Sequence, residues 1–286
     1  MAVQPRKRAP GATAGRSPRR RNRSGGNRRK PSSRPLSLRD LLTRRNAVRL
    51  WWLGLLWWLG VALFPPSYPA TRFSGVVFAG LLALGLLALW WRYRVLRWSW
   101  LGLLALAAFF CSLPGNDWYD RVALRGEIGR ALQRYEGTRL FPKGENRLGM
   151  DAAGMIRRGT VEGTLLYSFK TLNPLLTRKA FTLWWHDDDL AGLARGARRK
   201  ARRLTRAKNL SGFDHTLLYP GDMAILADGS LALAYLGEGR WIAPDRTARR
   251  LAVAGGPTNA AAEFNTPLSL MRWRFLEMRR TRPGQP

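Results

Sequence analysis

The chain offers few side chains that could act as nucleophiles, general bases or metal ligands. It has one cysteine, Cys111, and two histidines, His186 and His215. Asp187, Asp188 and Asp189 follow His186, and this cluster could bind a metal or form a substitute catalytic centre. Carboxylates on consecutive residues point in different directions, whereas acids at a helix start are favoured by the helix dipole. We therefore interpret the cluster as a helix cap and predict no metal site and no cofactor.

A second pair of polar groups lies further along the chain. Ser211 precedes His215 by four residues, and a serine beside a histidine can act as nucleophile and base. The surrounding residues predict a loop, in which Asp214 and His215 could equally form an ordinary polar turn. His186, Ser211 and His215 are thus the weak candidates for catalysis. Cys111 lies in an apolar run, which favours inert packing.

Three sequence blocks carry a family resemblance. They are Asp-Ala-Ala-Gly at 151–154, Tyr-Pro-Gly-Asp at 219–222, and the run at 231–243 that contains Tyr-Leu-Gly-Glu-Gly. In order and spacing they resemble the NlpC/P60 family of papain-like cell-wall peptidases, over roughly residues 120–274. The resemblance implies that the family's catalytic cysteine falls on Ala152, its base histidine on Leu231 and its orienting polar residue near Ala243. Because all three side chains are aliphatic, it implies a domain without its catalytic residues.

The same resemblance implies an α+β, papain-like fold in which helices pack on an antiparallel sheet. It implies a ligand cleft lined by Asp151, Ala152, Leu231, Tyr235 and Ala243. A near-3.6-residue spacing of apolar side chains independently predicts a helix over 120–135. A second helix is predicted over 150–166, with Asp151 near its start. Strands are predicted at 223–226, 231–236, 240–243 and 251–253, with a hairpin turn at Asp228-Gly229.

Residues 190–208 combine eight basic side chains with a modest stripe of Leu and Ala, which predicts a basic amphipathic helix. One interpretation is a docking surface for anionic lipid headgroups or wall polymers. The other is a solvated face of a basic protein. The residues predicted to bind a membrane or an anion are Arg198, Arg199, Lys200, Arg202 and Arg203.

Three uncharged apolar runs precede this domain and predict membrane spans at about 47–64, 73–91 and 97–114. Nineteen helical residues extend about 28 Å, close to the roughly 30 Å hydrocarbon core of a bilayer. Tryptophans cluster at the run ends, where amphipathic rings prefer to lie, although Trp57 and Trp58 lie in the middle of the first run. Three such runs are hard to reconcile with buried helices of a soluble protein.

The charge is extreme, with 49 basic and 18 acidic residues and a formal net charge of +31. Residues 1–45 contain much Arg, Pro, Gly and Ser and few large apolar side chains, so we predict a disordered basic tail. The tail either contacts anionic lipid or nucleic acid, or serves as a topology signal. We favour the signal. For the chain as a whole, a soluble nucleic-acid-binding protein would explain the charge but not the long apolar runs. Residues 281–286 are also predicted to be disordered.

Orientation follows from the loop charges. The tail and the loop at 92–97 are rich in arginine, whereas the loop at 65–72 has one. Positively charged loops favour the cytoplasm, which predicts a cytoplasmic N-terminus and an external domain at 115–280. We therefore expect a multi-pass protein of the bacterial inner membrane, with its C-terminal domain in the periplasm or outside the cell.

The expected function is a non-catalytic envelope protein that binds a cell-wall peptide, a glycan or another envelope protein, with the lipid bilayer as a further partner. One alternative is an active peptidase or amidase that uses non-standard residues. Another is a membrane or nucleic-acid adaptor that acts through the basic tail. Binding to nucleic acid is the least expected of these.

Overall fold

The computed structural model describes residues 44–63, 68–186, 189–255 and 264–277. The predicted basic tail lies outside these ranges except for its last two residues, which begin the first helix. The predicted C-terminal segment, 281–286, also lies outside the described residues.

Three long apolar helices open the described chain: α1 (Arg44–Leu63), α2 (Pro69–Trp90) and α3 (Arg94–Ser112). Each is long and apolar enough to cross a membrane, as predicted. The indole N–H groups of Trp51 and Trp58 on α1 donate to the carbonyl oxygens of Leu82 and Gly75 on α2, both at 2.9 Å. Trp58 lies mid-run, and this hydrogen bond satisfies its N–H where no water would be available in a bilayer.

The remaining helices are α4 (Arg121–Gln133), α5 (Ala152–Thr171), α6 (Pro174–Trp185) and the short α7 (Leu190–Ala194). The two helices predicted for the domain correspond to α4 and α5, each capped by the aspartate before it. The α4 and α5 backbones approach closely because α5 has glycines at 159 and 163. A Cβ atom on Gly163 would lie 2.5 Å from the Ile128 Cα atom, so a larger residue would force the helices apart.

Two sheets complete the domain. Strands β1 (Glu145–Asn146) and β2 (Gly149–Met150) form a small antiparallel pair. A six-stranded antiparallel sheet has the order β3-β8-β4-β5-β6-β7. Its strands are β3 (Ala201–Ala207), β4 (Met223–Leu226), β5 (Ala232–Gly237), β6 (Arg240–Asp245), β7 (Arg250–Gly255) and β8 (Leu268–Trp273). The predicted meander is β4 to β7, and the mixed architecture confirms the α+β class.

The prediction of one basic helix over 190–208 was wrong. Its first turn exists as α7, but the backbone then turns through positive φ angles from Gly196 to Arg199. The chain continues as β3, an edge strand that pairs with β8. The pairing with β8, some seventy residues further along the chain, decides the conformation of this segment. The local apolar spacing does not encode that pairing.

Alternate residues of β5 belong to two separate apolar clusters. Ala232, Ala234 and Leu236 belong to the cluster that contains the inward faces of α4 and α5. Leu233 and Tyr235 belong to a second cluster with Trp241 and Phe264. Because side chains on a strand alternate between the two faces of a sheet, the clusters lie on opposite faces. Within the described ranges, the helices α4 to α7 therefore pack on one face of the six-stranded sheet.

The α+β domain contacts the apolar helices at one end. The Asn146 side chain donates to the Leu63 carbonyl at the end of α1, at 3.0 Å. Arg178 on α6 donates to the carbonyls of Cys111 and Leu113 at the end of α3, at 2.7 and 2.8 Å. Cations at a helix C-terminus interact favourably with its dipole. The domain thus lies on the same side as the α1–α2 connection.

Candidate functional site

Asp151 begins α5 as its N-cap. Its carboxylate accepts hydrogen bonds from the backbone N–H groups of Gly154, at 2.5 Å, and Lys143, at 2.9 Å. Burial raises the pKa of the Asp151 carboxyl. Gly154 has a packing role, because a Cβ atom there would lie 2.1 Å from the Gly144 carbonyl oxygen. In the Asp-Ala-Ala-Gly block, Asp151 thus caps the start of α5, and Gly154 leaves room for the loop that contains Gly144.

The structure does not bring the five predicted cleft residues together. Ala152 follows Asp151 in the first turn of α5 and belongs to the cluster on the helical face of the sheet. Leu231, Tyr235 and Ala243 belong to the cluster on the opposite face. The sheet separates the two sets, and all four of these side chains are buried. Alternation along β5 and β6, which the sequence blocks do not reveal, is the physical reason.

The His186 side chain is involved in local contacts at the end of α6. Its Nδ1 atom lies 2.6 Å from the Thr182 carbonyl oxygen and 2.9 Å from the Lys200 Nζ atom. Asp189 caps α7 by accepting from the Gly192 N–H at 2.6 Å, which agrees with the capping interpretation. Asp187 and Asp188 lie outside the described residues. Within the described ranges, no group of three or more His, Cys, Asp or Glu side chains could hold a metal ion.

Ser211 and His215 have different surroundings. The Ser211 hydroxyl donates to the Asn265 Oδ1 atom at 2.8 Å. The His215 ring lies 6.0 Å from the Tyr235 ring and 6.1 Å from the Trp241 ring, between centroids, in an aromatic cluster. Ser211 is therefore hydrogen-bonded to an amide, whereas His215 packs against aromatic rings.

The predicted anion-binding residues are spread over a turn and a strand. Arg198 and Arg199 lie in the left-handed turn before β3, and both are exposed. Lys200 donates to the Thr182 carbonyl at 3.1 Å. On β3, Arg202 and Arg203 are exposed, and Arg202 pairs with Glu277 across 3.2 Å. Of the five residues, only Arg202 lines the cavity described next.

A cavity of about 660 Å³ lies where the linker after α3 and the start of α4 meet β3, β8 and the turn before β4. We call it the Arg125 cavity. Its volume is within the roughly 300–1,000 Å³ of small-ligand sites. Two carboxylates, those of Asp117 and Glu277, line it. Six cationic side chains also line it: Arg121, Arg125, Lys179, Arg202, Arg272 and Arg274.

Arg125 is the most deeply buried of the six cations that line this cavity. It is 2% exposed, and its Nη2 atom donates to the Leu276 carbonyl. Its Nε and Nη1 atoms are buried and have no hydrogen-bond partner among the described residues. Burial, and then the nearby charge of Arg272, lower the pKa of Arg125. A buried guanidinium with unsatisfied N–H groups is costly, and an anion would relieve that cost.

The Tyr-Pro-Gly-Asp turn supports the cavity wall. Asp222 is 1% exposed and receives two hydrogen bonds from Arg272, at 2.7 and 2.6 Å. The Tyr219 ring contacts two cations, with the Arg125 and Arg272 Cζ atoms 3.9 and 4.5 Å from its centroid. Arg272 is thereby held in place by a buried carboxylate, whereas Arg125 contacts no carboxylate in the described hydrogen bonds.

No protein-family model, curated protein or solved structure significantly matches this chain.

Sequence reasoning missed the residues that build the cavity. Arg121 and Arg125 are four residues apart on a predicted helix, so they share one face, and this was an available signal. Arg272 lies on β8, which was not predicted. The cavity joins residues from five parts of the chain, and only the folded domain brings them together.

Proposed function

We propose that this protein is a membrane-anchored, non-catalytic binding protein of the bacterial cell envelope, and that its external α+β domain captures an anionic ligand in the Arg125 cavity. The observation that carries the proposal is a buried arginine with two donor atoms that have no partner in the described part of the chain, in a cavity lined by six cations and two carboxylates. Such a surplus attracts anions and repels cations.

The position of the cavity supports a role at the membrane. Asp117 and Tyr119 line it and follow α3 within seven residues of its last residue, Ser112. Lys179 lines it from α6, next to the Arg178 side chain that contacts the end of α3. A ligand in this cavity would lie just beyond the end of a helix apolar enough to cross a bilayer.

A binding role is also supported by the contacts of the candidate catalytic groups. Ala152 offers no nucleophile, and Ser211 bonds to an amide. His186 is held by a main-chain carbonyl and by Lys200. The family resemblance to NlpC/P60 proteins remains a further part of the proposal, as do a cell-wall component or an envelope protein as the source of the anion.

The proposal is tested with the full chain in nanodiscs of zwitterionic phosphatidylcholine. Isothermal titration calorimetry with pyrophosphate and with citrate, two small polyanions, should give binding of at least one, weakened by added salt. Arg125→Gln should abolish most of it. Arg246→Gln removes the same charge from an exposed residue outside the cavity lining and should change nothing.

Two results would contradict the proposal. Absence of binding of both polyanions to the wild-type chain would remove its ligand-binding part. Hydrolysis of peptidoglycan fragments that His186→Ala or His215→Ala abolishes would remove its non-catalytic part.

A further inference from the structure

The Arg125 cavity has a composition that distinguishes between classes of anion. Five of its six cations are arginines, whose planar guanidinium groups donate several hydrogen bonds in a fixed geometry. That geometry suits carboxylate and phosphate groups. The number of charges decides between the two. Three of the six cations pair with Asp117, Glu277 and Asp222, which leaves Arg121, Arg125 and Arg274 to face a ligand. A single carboxylate would offset one positive charge, whereas a phosphate group with several oxygens and up to two charges offsets more.

The donors of the cavity point to the same class. Among the described residues, two buried nitrogen atoms of Arg125 and the Nε atom of Arg121 have no hydrogen-bond partner. These two residues are one turn apart on α4, so one multi-oxygen group can accept from both. Phosphate provides three or more acceptor oxygens, whereas a carboxylate provides two.

The walls of the cavity are partly aromatic. Tyr119, Tyr219 and Phe275 line it together with Leu204. The Arg121 Cζ atom lies 4.7 Å from the Tyr119 ring centroid, so this guanidinium group packs against an aromatic ring of the wall. Such walls suit a ligand that attaches an apolar or ring-shaped part to its charged group.

We propose that the Arg125 cavity binds a phosphate-bearing anion, with Arg125 as the buried anchor and Arg121 and Arg274 completing the contact at its edge. This inference rests on the proposed function and names the chemical class of its ligand. Two sources supply this chemistry: the headgroup of an anionic lipid with a terminal phosphate group, as in phosphatidic acid, in the adjacent membrane leaflet, and a soluble phosphorylated compound.

The first experiment compares pyrophosphate with citrate on the full chain in phosphatidylcholine nanodiscs. Pyrophosphate should bind more tightly than citrate, and Arg125→Gln should raise its Kd about tenfold or more, as expected when a buried charged contact is lost. Arg125→Lys keeps the charge but removes the planar donor group, so its Kd should also rise. Arg246→Gln is the matched control and should leave the Kd unchanged.

Arg125 is buried, and its replacement could disturb folding. The double variant Arg121→Gln, Arg274→Gln avoids this difficulty, because Arg274 is exposed and Arg121 is half-buried. It should raise the Kd for pyrophosphate while the thermal unfolding midpoint stays at the wild-type value. Unchanged affinity in this double variant and in Arg125→Lys would overturn the proposal.

The second experiment identifies the source. The chain is extracted from membranes of phosphatidylcholine with phosphatidic acid, and retained lipid is counted by native mass spectrometry. Retention of phosphatidic acid by wild type, but not by the double variant, assigns the site to a lipid headgroup. Pyrophosphate binding without such retention assigns it to a soluble phosphate compound, and both results support the phosphate class.

The titrations separate loss of the preference for phosphate from loss of anion binding as a whole. Tighter binding of citrate than of pyrophosphate, together with no cavity-dependent lipid retention, would overturn the phosphate class and leave an anion-binding protein. If citrate and pyrophosphate both fail to bind and phosphatidic acid is not retained, the two proposals fail together.

Discussion

The Nη2 atom of Arg72 on α2 donates to the Oε2 atom of Glu145 on β1 at 2.6 Å. Arg72 also donates to the Trp184 carbonyl at 2.6 Å, and the other oxygen of Glu145 pairs with Arg157 on α5. All three charged side chains are nearly buried, at 4%, 11% and 7% exposure for Arg72, Glu145 and Arg157. One carboxylate therefore connects an apolar helix to the core of the α+β domain.

Glu145→Gln should lower the free energy of unfolding of the domain by about 3–5 kcal/mol, because it leaves two buried guanidinium groups without their carboxylate. Arg72→Gln should cost less, since Glu145 keeps Arg157. Urea titration of the full chain in phosphatidylcholine nanodiscs, followed by far-UV circular dichroism, measures both losses. Glu136→Gln, on an exposed residue, is the control. Equal effects of Glu145→Gln and Glu136→Gln would show that this ion-pair group contributes nothing.

The close approach of α4 and α5 depends on glycine at 163. Gly163→Ala should destabilise the domain by about 1–3 kcal/mol, because the new Cβ atom would meet the α4 backbone. Gly126→Ala, on α4, has nothing within 4 Å of its new Cβ atom and should be neutral or stabilising by up to about 1 kcal/mol. Thermal unfolding of the two variants gives the comparison. If Gly163→Ala were the more stable variant, the helices would not be in contact as described.

Glu127 should make part of the stability depend on pH. A hydrogen bond from Lys170, and the charge of Arg130 2.6 Å away, lower the pKa of the Glu127 carboxyl below its ordinary value of 4.5. The unfolded chain therefore binds a proton more readily, so stability is present above pH 4.5 and falls as the pH drops through the lowered pKa. Urea titrations between pH 3 and 7 should show a smaller acid loss in Glu127→Gln. A Glu127→Gln profile parallel to wild type would contradict this.

The orientation of the chain follows from its charges and can be measured with reporters. The proposed external domain predicts that a reporter active only outside the cytoplasm works when fused after Pro286. The same reporter should be silent when fused after Arg97, in the loop predicted to be cytoplasmic. A reversed pattern would place the domain, and the Arg125 cavity, in the cytoplasm.

Much of the fold could be predicted from local patterns. A local signal is present in each of the three apolar runs, in the two capped helices and in each strand from β4 to β7. The conformation of the segment at 190–208 could not be predicted in this way. Its Leu and Ala spacing favours a helix, whereas pairing with β8 makes residues 201–207 a strand. The two-residue strands β1 and β2 carry no signal at all, yet they hold Glu145 at the start of α2.

The site was harder to predict than the fold. The sequence blocks suggested a cleft that includes Ala152 and Leu231. Leu231 directly precedes β5 and lies with Leu233 and Tyr235 on the far face of the sheet. The Tyr-Pro-Gly-Asp block does have a role: Asp222 neutralises and positions Arg272 at the cavity wall.

The sequence by itself determined three apolar helices, an α+β domain after them and a large excess of positive charge. These properties depend on composition and on short-range periodicity. Only the tertiary structure decided where that charge becomes concentrated, because Arg125 and Arg272 are 147 residues apart and both contact the ring of Tyr219. Burial then leaves donor atoms of Arg125 unsatisfied, and burial is a property of the packed domain that no local pattern encodes.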